Sequence, residues 1–151
     1  MITIAVQDQQ VLAYLSRLQA KLKNLKPAMA GIGMELEAAV SGRFESKTDP
    51  AGRAWAPWAS ATQRSYPDDG NGTILDRYGD MLDSLNHRAT KDSVEVGFGV
   101  PYAAYHEWGT VKMPRRGLLT ADPDGPTLSA ADTERVLDIL STFLGAGEPR
   151  P

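Results

Sequence analysis

The apolar positions of the chain change period several times, and each change marks an element. Ile2, Ile4 and Val6 alternate with Thr3 and Ala5, the period of a half-buried strand. From Val11 the step becomes three and four. Val11, Leu15, Leu18, Leu22 and Leu25 fall on one stripe of a helix, with Asp8 placed as its N-cap. A helix of roughly 17 residues would span about 25 Å. Pro27, tolerated in a first turn, opens a second segment. There Met29, Ile32, Leu36, Val40 and Phe44 carry the stripe on, and Gly31 and Gly33 weaken its start. Two helices meeting at Pro27 and one kinked helix fit this pattern equally well.

From Ser46 to Gly72 the periodicity dissolves. Asp49-Pro50-Ala51-Gly52 and Pro67-Asp68-Asp69-Gly70-Asn71-Gly72 are turn chemistry, with Trp55, Pro57, Trp58 and Tyr66 between them. A loop of this length in a small domain is more often functional than idle. Ile74, Leu75, Tyr78, Met81, Leu82 and Leu85 return to helical spacing and predict about three turns. Residues 84–90 and 93–99 predict a hairpin around Lys91-Asp92, with Val94, Val96 and Phe98 on one face. Pro101 to Trp108 reads as a two-turn helix closed by Gly109, and residues 110–126 as irregular. Ser129 with Asp132 resembles a capping box. It heads a last helix with Val136, Leu137, Leu140, Phe143 and Leu144 on its apolar side, stopped by Gly145. The expected fold is a single α+β domain over residues 1–145. In it a small antiparallel sheet (the N-terminal strand plus the hairpin near 84–99) is packed by long amphipathic helices, with one long irregular loop. Residues 146–151 are expected to be a flexible tail.

Composition narrows the function classes. A chain of 151 residues with 42% hydrophobic and 23% charged positions has ordinary globular balance. The stretch Met1–Val6 is too short, and lacks the basic flank, for a secretory signal. No apolar run approaches the roughly 20 residues of a membrane span. The absence of cysteine removes disulfides, thiolate nucleophiles and zinc–cysteine sites, and fits a reducing cytoplasm. A net charge of −3 makes the chain a poor candidate for wrapping nucleic acid. Its densest basic stretch, Lys21, Lys23 and Lys26, reads as a solvated helix end.

The candidate chemistry centres on "YAAYHEWGT", residues 102–110. The chain has two histidines, His87 and His106, and no His-Glu-x-x-His pair to hold zinc. There is no Gly-x-Ser-x-Gly elbow. Neighbouring helical residues diverge by about 100°, so Glu107 is poorly placed to orient His106. His87 reads as a half-exposed strand residue. No phosphate-cradling glycine motif is present, and "VGFGVP", residues 96–101, reads as backbone leaving the sheet. On a helix, Tyr102, Tyr105 and His106 share one face, expected to pack on the hairpin with Trp108 close behind. Glu107 then points elsewhere, toward Arg115, Arg116 or a neighbouring subunit. The stretch reads as a fastener, with no cofactor or metal expected.

Three stretches in series resemble the phage virion morphogenesis family, the tail completion proteins of Mu-like phages. They are "RFESKTDPAGRAWAPWASATQRSY" (43–66), "ILDRYGDMLDSL" (74–85) and "VEVGFGVPYAAYHEWGTVKMPRRGLL" (94–119). Their counterparts there are Arg-Phe with Asp-Pro-x-Gly-x-x-Trp, the Ile-Leu and x-Gly-x-Leu run, and Tyr-Ala-x-x-His-x-x-Gly with Pro-x-Arg-Pro-Phe-Leu. Gly117 and Leu118 depart from that last pattern, which has Pro and Phe.

The resemblance implies a non-enzymatic virion part, assembled in the host cytoplasm and located at the tail or neck. It implies a homo-oligomeric ring, often hexameric, between head-closure or connector proteins and the tail tube or sheath. DNA would pass through the lumen without sequence-specific binding, and no membrane is involved. Trp55, Trp58 and Trp108 would then be anchors between subunits, with Glu107 and Arg116 an ordering pair. Two other classes fit part of the pattern: a small hydrolase centred on His106, and a capsid-assembly factor that leaves before the particle matures.

Overall fold

A computed structural model describes residues 9–124 and 127–145. The strand expected at residues 2–6, the Asp8 cap and the tail at 146–151 lie outside the described residues. The first two helices are separate. Helix α1 (Gln9–Lys23) and helix α2 (Lys26–Ser46) are divided at Asn24-Leu25. The Asn24 side chain accepts from the Lys26 amide at 3.1 Å, and Pro27 occupies the first turn of α2. The Leu25 amide donates to the Lys91 carbonyl at 3.0 Å, which ties the break to the tip of the hairpin. Lys47, left-handed at φ 56°, ends α2.

The hairpin stands where the alternation puts it. β1 (Leu85–Ala89) pairs antiparallel with β2 (Val94–Phe98), with His87 opposite Val96. These two strands form the sheet among the described residues. Helix α2 crosses both. At the crossing, a Cβ on Gly33 would stand 2.2 Å from the His87 ring, so only glycine allows this approach. The same ring places Nδ1 at 2.9 Å from a Glu37 carboxylate oxygen. His87 is therefore packed between helix and sheet.

The region 74–85 corrects the expected three-turn helix. Only Asp80–Asp83 is helical, as α4. Leu75 at φ 64° and Gly79 at φ 92° interrupt any longer helix. The apolar residues still turn inward, Met81 buried and Ile74, Leu75, Leu82 and Leu85 packed against the core. Within the long loop, Ser60–Ser65 forms a short helix, α3, and Thr48 bridges Ala54.

Helix α5 (Ala103–Trp108) follows the hairpin, and helix α6 (Ala130–Leu144) closes the chain. The Ser129 hydroxyl accepts from the Asp132 amide at 3.1 Å, and Gly145 ends α6 in the left-handed region. Helix α6 lies on α2. The core gathers Val40, Phe44, Trp55, Met81, Ala103 and Leu118. Within it the Phe44 and Trp55 rings meet edge-on at 5.5 Å, a favoured aromatic geometry.

Candidate functional site

Helix α5 divides its residues sharply between two sides. Tyr102, Tyr105 and Trp108 succeed one another by threes, and all three are exposed. Ala103 and Glu107, one turn apart, are buried. The sequence expectation packed Tyr102 and Tyr105 on the hairpin and pointed Glu107 toward Arg115, Arg116 or a neighbouring subunit; the tyrosines face solvent instead, and Glu107 takes the inward side.

The reason lies in residues 116–120. Of its amides, that of Arg116 donates to the His106 carbonyl, and those of residues 118–120 are taken by the Glu107 carboxylate. Its Oε2 accepts from Leu118 N at 2.6 Å and Leu119 N at 2.9 Å. Its Oε1 accepts from Thr120 N at 2.9 Å and from the Thr120 hydroxyl. Buried backbone donors left unmatched are costly, so a carboxylate that satisfies three of them takes the inward position ahead of a ring.

The two arginines beside this lock have distinct tasks. Arg115 reaches Glu107 at 3.5 Å and donates to the Thr120 carbonyl at 2.6 Å. Arg116 does not pair with Glu107. Its guanidinium donates to the carbonyls of Ala56 at 2.8 Å and Pro57 at 2.9 Å, and its own amide donates to the His106 carbonyl at 2.8 Å. Of the two arginines expected as partners for Glu107, Arg115 is the one that meets it, so the Glu107–Arg116 ordering pair does not form within the chain and Arg116 clamps the tryptophan loop instead. Gly109 makes the turn possible. It has φ 74°, and a Cβ there would meet the Arg115 amide nitrogen at 2.9 Å.

The three tryptophans separate. Trp55 is a core residue whose Nε1 donates to the Gly117 carbonyl at 3.0 Å, so it is not an exposed anchor. Trp58 is half-buried and lies against Tyr66 at 4.6 Å, with Arg77 over the other ring at 4.8 Å. Trp108 is exposed. On the turn that follows α5, Val111 is fully exposed. Tyr102, Tyr105, Trp108 and Val111 together are apolar groups that this chain leaves in solvent.

His106 is half-buried and borders a cavity of about 320 Å³ with Tyr66, Arg77, Tyr78, Met81 and Tyr102. Its Nδ1 is buried and without a hydrogen-bond partner among the described residues. Burial, and then the nearby Arg116 charge, hold its pKa below 6.5. A hydrolytic base requires a group that orients the imidazole. The adjacent carboxylate is fully engaged with residues 118–120, so His106–Glu107 is not such a pair.

A second buried polar contact was missed by sequence reasoning. Arg43 on α2 donates to the Leu118 carbonyl at 2.7 Å and pairs with Asp132 on α6. Asp132 also takes Arg135 at 3.0 Å. The one local signal was Asp132 standing where a capping box has Glu. Its side chain serves the ion pair, while its amide is the group that Ser129 caps. No helix among the described residues is long and apolar enough to cross a membrane.

The model of the phage virion morphogenesis family matches residues 6–145 of the chain. No curated protein and no solved structure matches it.

Proposed function

The chain belongs to the phage virion morphogenesis family, and from that premise we propose that it is a non-enzymatic subunit of the head–tail junction. In this reading copies of the chain form a ring, hexameric in its simplest form, which completes the tail and lets it join a DNA-filled head. Neighbouring neck or tail proteins stack above and below, and DNA passes through the lumen.

The observation that supports assembly is the outer side of α5. Tyr102 at the head of α5, Tyr105 and Trp108 on it and Val111 on the turn after it are exposed, beside a helix whose inner side is locked to residues 118–120. A rigid, aromatic, exposed surface is the composition of an interface anchor. A free subunit gains little from it. The mildly acidic balance of the chain also suits a lumen through which DNA slides, since few counterions would be released by contact.

A phage deleted for this gene tests the reading. Electron microscopy should show filled heads and separate or misshapen tails, and a plasmid-borne copy should restore joined particles. Normal infectious particles from the deleted phage would contradict it.

A further inference from the structure

The turn at residues 67–72 takes no part in the α5 surface, and its Asn71-Gly72 end carries a chemistry of its own. Both residues are exposed. An asparagine side chain can be attacked by the amide nitrogen that follows it, and a glycine there has no Cβ to shield that nitrogen. The structure selects this pair over Asp69-Gly70. The Gly70 amide donates to the Pro67 carbonyl at 3.2 Å, and a Cβ on Gly70 would stand 2.3 Å from the Arg77 carbonyl oxygen, so that peptide is bound and crowded. Among the described residues no hydrogen bond holds the Gly72 amide. Gly72 is left-handed at φ 65°, with nothing within 4 Å of the place a Cβ would take.

We propose that Asn71 is a self-modification site, where the chain converts its own carboxamide to aspartate and isoaspartate with water as the sole co-reactant. The inference is independent of the ring reading. The Gly72 nitrogen attacks Asn71 Cγ and gives up its proton to solvent. The new N–Cγ bond closes a succinimide ring, the Cγ–Nδ2 bond breaks, and Nδ2 leaves with a proton from solvent as ammonia. Water then opens the ring at Cγ, which leaves aspartate, or at the Asn71 backbone carbonyl carbon, which leaves isoaspartate. Asp76 favours the first stage. Asn71 Nδ2 donates to Asp76 Oδ1 at 2.7 Å, so positive charge on the departing nitrogen develops at an atom the carboxylate already faces. The other asparagines lack this arrangement. Asn24 is followed by Leu25 and Asn86 by His87, and Asn86 gives its Nδ2 to the Ser84 carbonyl.

Conversion undoes the turn. The product puts a carboxylate where a donor met Asp76, so like charges replace a hydrogen bond. The isoaspartyl form also adds a methylene to the backbone just after the Asn71 amide, which donates to the Arg77 carbonyl at 2.9 Å. Arg77 in turn donates to the Ser65 hydroxyl at 3.2 Å and lies over the Tyr66 ring, which meets Trp58. The loss therefore passes from an exposed turn to the tryptophan loop.

The purified full chain is incubated in mildly alkaline buffer, and its peptides are mapped by mass spectrometry with fragmentation that separates aspartate from isoaspartate. Residue 71 is expected to convert while Asn24 and Asn86 stay amides. Asp76→Asn keeps the shape of the partner and removes its charge, and should slow conversion about three- to fivefold, the scale of an exposed charge contact. Asn71→Asp supplies the second arm. Limited trypsin cleavage after Arg77 should be faster in this variant, and in the aged wild-type chain, than in the fresh wild-type chain. The proposal is overturned if residue 71 stays an amide in the folded chain while the urea-unfolded chain converts. Conversion of Asp76→Asn at the wild-type rate, or an unchanged cleavage rate in Asn71→Asp, would overturn it as well.

Discussion

Glu107 carries more of the local structure than any other single residue of the α5 region. Its two oxygens hold the amides of Leu118, Leu119 and Thr120, and Leu118 is fully buried. Glu107→Gln keeps the shape but turns an amide –NH₂ toward backbone donors, so it should cost about 2–4 kcal/mol of stability in urea unfolding. A cost below about 0.5 kcal/mol, the scale of an ordinary surface substitution, would show that the lock does not hold the segment. His106 gives a pH-dependent counterpart. Its pKa in the folded chain lies below 6.5 through burial and Arg116. The unfolded chain therefore binds the proton more readily, and stability contributed by this group falls as pH drops below the unfolded value. Between pH 7 and 5 the wild-type chain should lose more stability than a His106→Phe variant. Equal slopes would show that the ring is not held neutral by its surroundings.

At the scale of elements, what was legible in the sequence was local. Pro27, the Lys91-Asp92 turn, Ser129 and Gly145 each act on backbone within a few residues of themselves, and the start of α2, the hairpin and α6 stand where they indicate. The Ile74–Leu85 stripe misled because an irregular path can also bury residues at helical spacing. Leu75 and Gly79 leave the right-handed region, yet Met81 and its apolar neighbours still reach the core. The direction of α5 was hidden for a different reason. It depends on which partner claims the inward position, and the amides of 118–120 are not visible as unpaired until the chain is folded. The α2–α6 contact is likewise long-range, with Arg43 and Asp132 89 residues apart. Arg43→Met leaves Asp132 buried with Arg135 alone and should cost about 3–5 kcal/mol. The Arg43→Met/Asp132→Leu double variant should recover at least half of that. A double variant as unstable as the sum of its singles would mean that the two residues act independently.

At the scale of the molecule, the chain keeps its polar locks inside and leaves apolar surface outside. Glu107 and Asp132 are buried and paired, whereas Tyr105, Trp108, Val111 and the α1 residues Leu12, Leu15 and Leu22 are exposed. The chain belongs to the phage virion morphogenesis family, and under the proposed function that division has a purpose: the locks would hold a subunit rigid, and the exposed groups would be its contacts in assembly. The central claim is that the chain stays in the particle as a structural part. Quantitative mass spectrometry of purified mature virions tests it most directly. The account predicts a small fixed copy number per particle, six for a single hexameric ring, and mature particles that lack the chain would contradict it.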